Sequence, residues 1–204
     1  MLTSTKNKKL QKMHDELVGL VASPLYAYRT EHGYFPVVGE GNPDATVMFV
    51  GEAPGRNEAK TGLPFCGAAG KILDELLAGV GIGRADVYVT NIVKDRPPEN
   101  RDPTPAEITC YGPFLDRQID IIQPKVIATL GRYAMAYTLK KFNLEASLEP
   151  IGRAHGKAYQ ATAAYGSVTI VALYHPCMAI YRRSSLSLLK TDFQILKKYK
   201  RSKK

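Results

Sequence analysis

Glu52, Glu58, Phe65, Asn91 and His175 are of types suited to handling a flat polar ring. Phe65 offers an apolar face, Asn91 an amide that donates and accepts side by side, and His175 a further polar partner. Together they suit a planar heterocycle held by stacking and by hydrogen bonds along its edge. Singly each has a plainer reading: an Asn at a strand end is commonly a turn residue, a His-Pro pair is commonly structural, and Glu58 has a less favoured reading as a surface carboxylate. The combination is stronger because each residue stands at or just beyond the end of an apolar run.

Those runs define the elements that must position the residues. Residues 47–50 read as a fully buried strand that ends abruptly in the Gly/Pro-rich turn GEAPG at 51–55. Residues 71–80 repeat apolar positions at helical spacing, and 87–93 (VYVTNIV) form a second buried strand, so 47–93 is a βαβ unit with a parallel pair. The Pro/Arg stretch 94–103 cannot pair in a sheet and belongs at the carboxyl edge beside the first turn. Thr104-Pro105-Ala106-Glu107 is a capping box that starts a helix through Ile122. Strands at 126–130, 157–163 and 168–174 and helices at 132–142 and 186–199 follow, with a weak helical pattern at 9–22 and a long surface loop at 24–44. Alternating strands and helices predict a three-layer α/β/α sandwich around a mainly parallel sheet of about four strands. Ligands of such sheets sit outside the carboxyl ends of the strands.

With 204 residues and 45 % hydrophobic content, one domain is expected, with basic ends at about 1–9 and 198–204 that are candidates for disorder. The net charge of +9 points toward nucleic acid. No run approaches the roughly 20 apolar residues that cross a bilayer, and the amino terminus is too polar for a signal peptide, so a soluble intracellular protein without a membrane partner is expected. Cys66, Cys110 and Cys177 have no CxxC spacing, which fits a reducing compartment; Cys66 and Cys177 read as small packing residues.

The motifs GEAPG at 51–55, Glu58, GLPFCGAAG at 62–70, TNIVKDRPPENRDPTP at 90–105, LGR at 130–132 and HP at 175–176 resemble, in order and spacing, the family-4 uracil-DNA glycosylases. The resemblance spans residues 23–183 and implies hydrolysis of the bond between uracil and deoxyribose in DNA, single- or double-stranded, by a monomer. It implies that Phe65 stacks on a flipped uracil, that Asn91 reads O4 and N3–H, and that His175 meets O2. It places Glu58 against C5, where thymine carries a methyl group, and Gly51 and Ala53 in the substrate turn. Ala53 stands where other uracil glycosylase families have Asp, so Glu52 is the candidate for positioning water. The segment after HP lies against DNA in this family; Pro54, Arg96, Arg101, Met178, Arg182 and Arg183 form the expected DNA-contacting set.

The chain departs from that family at the iron–sulfur site. Most members hold a 4Fe–4S cluster on four cysteines, and the matching positions here are Leu20, Ser23, Asp95 and Tyr111. Cys110, one position away, is a single thiolate and cannot supply four ligands. No metal or other cofactor is expected, with packing of Leu20, Asp95 and Tyr111 holding the loop instead. A branch that uses a covalent His in this loop is disfavoured, since 94–103 contain no His. The alternatives are a glycosylase for hypoxanthine or xanthine, and a uracil or single-strand binder without turnover.

Overall fold

The continuous apolar runs fold as strands covered on both faces, as their lack of polar alternation requires. A computed structural model describes residues 2–199. The elements are α1 (Leu2–Val18), α2 (Tyr26–Glu31), β1 (Glu40–Gly41), β2 (Val47–Gly51), α3 (Arg56–Thr61), α4 (Ala68–Gly79), β3 (Tyr88–Asn91) and α5 (Pro105–Ile122), followed by β4 (Val126–Leu130), α6 (Arg132–Lys141), α7 (Ile151–Ala154), β5 (Ala158–Ala163), β6 (Gly166–Leu173), α8 (Met178–Tyr181) and α9 (Leu186–Phe193). A short 3-10 helix, Gln194–Tyr199, continues α9.

The strands form one six-stranded sheet in the order β1-β3-β2-β4-β6-β5. Its centre is the expected parallel set, β3, β2, β4 and β6. Its edges are antiparallel: β5, expected as a strand paired with β6, and β1, which lies inside the segment expected to be loop, so the sheet has six strands and not about four. Period-two geometry sorts β2 between the layers: Val47 and Phe49 face a core with α4 and α9, where Phe49 stacks on Phe193 at 5.9 Å, while Met48 and Val50 face Leu115 and Ile119 of α5. The result is the three-layer α/β/α sandwich.

The parallel register sets the site. Gly51 pairs with Asn91, and Leu130 with Leu173, so β2, β3, β4 and β6 end along one edge. The residues that follow them, Glu52, Gly131 and His175, emerge there together with Asn91.

The amino-terminal third differs most from expectation. The first helix begins at residue 2, not 9, and stops before Val21, which is 67 % exposed. Its inward face buries Met13 and Leu17 fully, and Lys6 donates to the carbonyls of Pro43 and Ile122 and pairs with Asp44 at 2.9 Å. The Ile122 carbonyl lies at the carboxyl end of α5, where a cation is favoured by the helix dipole. Residues 24–44 are not simply a surface loop: they contain α2 and β1 and bury Leu25, Val37 and Val38. The basic segment expected at 198–204 lies, from residue 200 on, outside the described residues.

Candidate active site

The turn after β2 is shaped by what glycine leaves out. A Cβ on Gly51 would collide with Asn91 Oδ1 and stand 2.8 Å from the Phe65 ring. Gly70, early in α4, lets the helix pass against the Phe65 carbonyl, which a Cβ there would strike. Phe65 itself holds a left-handed backbone at φ 50°, a conformation a bulky residue keeps only when its surroundings enforce it. Its ring is nearly buried, with its centroid 5.6 Å from that of His175 and the planes tilted by 30°. Phe65, Asn91 and His175 thus share one cavity of about 570 Å³ at the carboxyl edge of the sheet.

Asn91 forms the buried end of that cavity at 2 % exposure, and among the described residues its Oδ1 has no hydrogen-bond partner. A buried amide oxygen left unpaired costs about 1–3 kcal/mol, a cost that a donating ligand in the cavity would remove. His175 has a defined tautomer. Its Nδ1 accepts from the Cys177 backbone N–H at 3.1 Å, so the proton of the neutral ring lies on Nε2. Burial lowers its pKa to about 4, with the negative charge of Glu58 opposing the shift. The ring is therefore neutral and a donor through Nε2 at neutral pH.

Glu58 lines the cavity and accepts from Gly67 N at 2.9 Å, which ties α3 to the segment carrying Phe65. Glu52 lies in the same wall. Its pKa is raised to about 7, first by burial and then by the nearby charge of Asp102, with Arg132 opposing both. Asp102 and Arg132 form an exposed ion pair at the mouth.

Ala53, Pro54, Arg101 and Met178 also line the cavity, whereas Gly51 lies behind it and Arg96, Arg182 and Arg183 stand outside. Arg96 is engaged within the protein, donating to Tyr28 Oη at 3.0 Å, Tyr34 Oη at 3.3 Å and Asn100 Oδ1 at 2.8 Å. Arg101 is bidentate to Glu107, which also completes the predicted capping box. Arg182 donates to Ser184, and Arg183 lies 3.8 Å from Glu75. Sequence reading did not single out Arg132, Tyr174 or Tyr181, the last an 89 % exposed aromatic at the rim. The end of β4 carried the missing signal for Arg132, because the LGR motif stands where the third parallel strand meets the site edge. Cys66, read as a packing residue, is exposed.

The positions that match the family's iron–sulfur ligands hold a different arrangement. Tyr111 Oη donates to Asp95 at 2.6 Å and meets Ser23 Oγ at 2.6 Å. Asp95 in turn accepts two bonds from Arg29, at 3.1 and 3.2 Å, and Arg29 also donates to the final carbonyls of α1, Leu17 and Val18. Leu20 packs against the same cluster. A hydroxyl, a carboxylate, a phenol and an alkyl chain are not a thiolate set, and the oxygens are already satisfied by one another, so these residues do not fit such a cluster.

A model of the uracil DNA glycosylase superfamily matches residues 38–198. The chain belongs to that superfamily. Within it, the type-4 uracil-DNA glycosylase of Archaeoglobus fulgidus is 45 % identical over 82 % of this chain and 82 % of its own length. The type-4 uracil-DNA glycosylase of Sulfurisphaera tokodaii is 42 % identical over 91 % of this chain and 82 % of its own. A DNA polymerase of Bacillus phage SP01 is 35 % identical over 61 % of this chain, a segment that makes up 13 % of the polymerase. The superfamily match begins at Val38 and so leaves α1, α2 and Arg29 outside it.

Proposed function

We propose that this protein is a uracil-DNA glycosylase that hydrolyses the N-glycosidic bond of deoxyuridine flipped out of DNA, releasing uracil and leaving an abasic site. The observation that carries the reading is the unpartnered Asn91 Oδ1 at the end of a cavity walled by Phe65 and the Nε2–H of His175. Uracil supplies the missing donor at N3–H, and its O4 accepts from Asn91 Nδ2. Cytosine presents an amino group and a bare nitrogen at those places, leaving two polar pairs unmade at about 1–3 kcal/mol each. Glu58 stands for exclusion of the thymine methyl group, and Phe65 for stacking.

In the reaction, the C1′–N1 bond breaks with its electron pair moving onto uracil, and negative charge grows at O2. The neutral His175 donates to O2, a bond that strengthens as the charge develops. Water adds its oxygen to C1′. Glu52, ionised above about pH 7, orients that water and takes its proton, which passes to the departing base. DNA reaches the site across the rim that carries Pro54, Arg101, Met178 and Tyr181, with Arg182 and Arg183 beside it. The network of Arg29, Asp95, Tyr111 and Ser23 supports a cluster-free enzyme in which side chains hold the Pro/Arg loop.

Labelled oligonucleotides containing uracil, thymine, hypoxanthine or xanthine, cleaved by alkali after incubation, test the assignment. Scission at uracil alone is expected, reduced by about 10²–10³-fold in His175→Ala and by a similar factor, still measurable in single turnover, in Asn91→Ala. Cutting at the purines instead would overturn the base assignment. Tight binding without scission would overturn turnover. Elemental analysis of anaerobically purified protein is expected to find no stoichiometric iron.

A further inference from the structure

Lys94 is enclosed at 0 % exposure, three residues beyond Asn91. Its Nζ donates to the Asn91 carbonyl at 2.6 Å, to Gln118 Oε1 at 2.6 Å and to Thr90 Oγ1 at 2.8 Å, with the Val38 carbonyl further away at 3.4 Å. Two of the three near oxygens can only accept from it. The carbonyl has no proton. Gln118 is oriented by its amide nitrogen, which donates to the Val38 carbonyl at 2.7 Å and to Tyr88 Oη at 3.3 Å. The Thr90 hydroxyl has the Val38 carbonyl at 2.7 Å and Gln118 Oε1 at 3.1 Å as acceptors for its one proton. One nitrogen thus joins three oxygens of β3 and α5. Burial draws its pKa well below the usual value.

A buried amine ringed by neutral oxygens is a poor way to fill space, since an alkyl chain of the same length carries no desolvation cost. What the arrangement does accomplish is to clamp the end of β3. Thr90 and Asn91 point to opposite faces of the strand. Lys94 grips the Thr90 side chain and the Asn91 peptide together, while Gln118 ties both to α5. The residue held by this bond is the one whose side-chain Oδ1, without a partner among the described residues, lies at the cavity.

We propose that Lys94 is a positioning residue for base recognition: by fixing the Asn91 carbonyl, it keeps the Asn91 amide aligned with the edge of the bound base. The proposal rests on the glycosylase reading above. A residue that acts through Asn91 has nothing to act on once that side chain is removed, which a general contribution to stability does not share.

The test is a double-mutant cycle on single-turnover uracil release at saturating DNA, with DNA affinity and thermal unfolding measured alongside. Lys94→Met is expected to slow release by roughly 10²-fold, the scale of an ångström-sized misplacement, with DNA affinity unchanged. In an Asn91→Ala background the same substitution is expected to cost less than about twofold, within the scatter of uncoupled sites. Equal losses in both backgrounds, or an unchanged rate in Lys94→Met, overturn the proposal. If Lys94→Met does not fold, Thr90→Val removes one acceptor and keeps the lysine; it is expected to slow release several-fold with the same dependence on Asn91, and equal losses in both backgrounds overturn the proposal there too. An inactive wild-type protein overturns the glycosylase reading instead, whatever the cycle shows.

Discussion

Glu52 and His175 face one cavity, and burial moves them in opposite directions: it raises the carboxyl to about 7 and lowers the imidazole to about 4. Both shifts favour the neutral form. In the proposed reaction the base is the ionised form of Glu52, a minority below about pH 7 and the majority above it. Uracil release is expected to rise with pH through about 7 and then level off, with no separate limb from His175 above pH 5. A single-turnover profile checks this, and Glu52→Gln is expected to flatten it. The signs for stability also differ. A carboxyl raised from 4.5 to about 7 binds its proton more tightly when folded, so its contribution is lost as pH rises through that window. A His lowered from 6.5 to about 4 works the other way, and its contribution is lost as pH falls from 6.5 toward 4. Gly51 gives a second test at this scale. Gly51→Ala places a methyl group against Asn91 Oδ1 and the Phe65 ring, and is expected to cut activity by about 10²-fold while the sheet stays folded, as far-UV circular dichroism reports.

At the scale of elements, the Pro/Arg loop is held from three sides. Arg29 of α2 joins Asp95 to the end of α1, Tyr111 of α5 joins Asp95 to Ser23, and Glu107 fixes Arg101. Asp95→Ala leaves a 5 % exposed guanidinium without its carboxylate and is expected to lower stability by about 3–5 kcal/mol in urea unfolding. Tyr111→Phe removes only the phenol and is expected to cost about 1–3 kcal/mol. A loss below 1 kcal/mol for Asp95→Ala would mean that packing alone holds the loop. The same elements show where the sequence was legible. Residues 126–130 appear as strand in the bounds expected, because a mostly apolar run of five, between Pro124 and Gly131, allows little else. The capping box fixed the start of α5 in the same way. Arg29 and Lys94 were not legible as interior groups, since charged side chains ordinarily read as surface and only their assembled partners reveal otherwise. The start of α1 was obscured for a related reason: its lysine-rich turn resembles a solvated tail until Lys6 is seen to bridge two chain segments.

Across the whole molecule, the charge of +9 draws DNA without saying where it binds. The fold supplies the direction. The cavity opens at the carboxyl edge of the sheet, and α8, with Ile180 and Tyr181 exposed, sits at its rim just before Arg182. Tyr199, the last described residue, meets Thr169, which pairs with Val126 at the start of β4, toward the other edge. Six residues separate Thr169 from His175, about 20 Å along a strand. Tyr199 therefore leaves the sheet about that far from the site edge. Arg182→Ala is expected to weaken duplex binding and to reduce the slope of log K against log salt by about 0.9, the value for one phosphate contact. Truncation after Tyr199 is expected to leave uracil release at saturating DNA unchanged. Titrations across a range of salt concentrations, paired with single-turnover rates, separate the two. A truncated protein that released uracil more slowly would show that charge beyond Tyr199, and not the rim alone, holds the nucleotide in place.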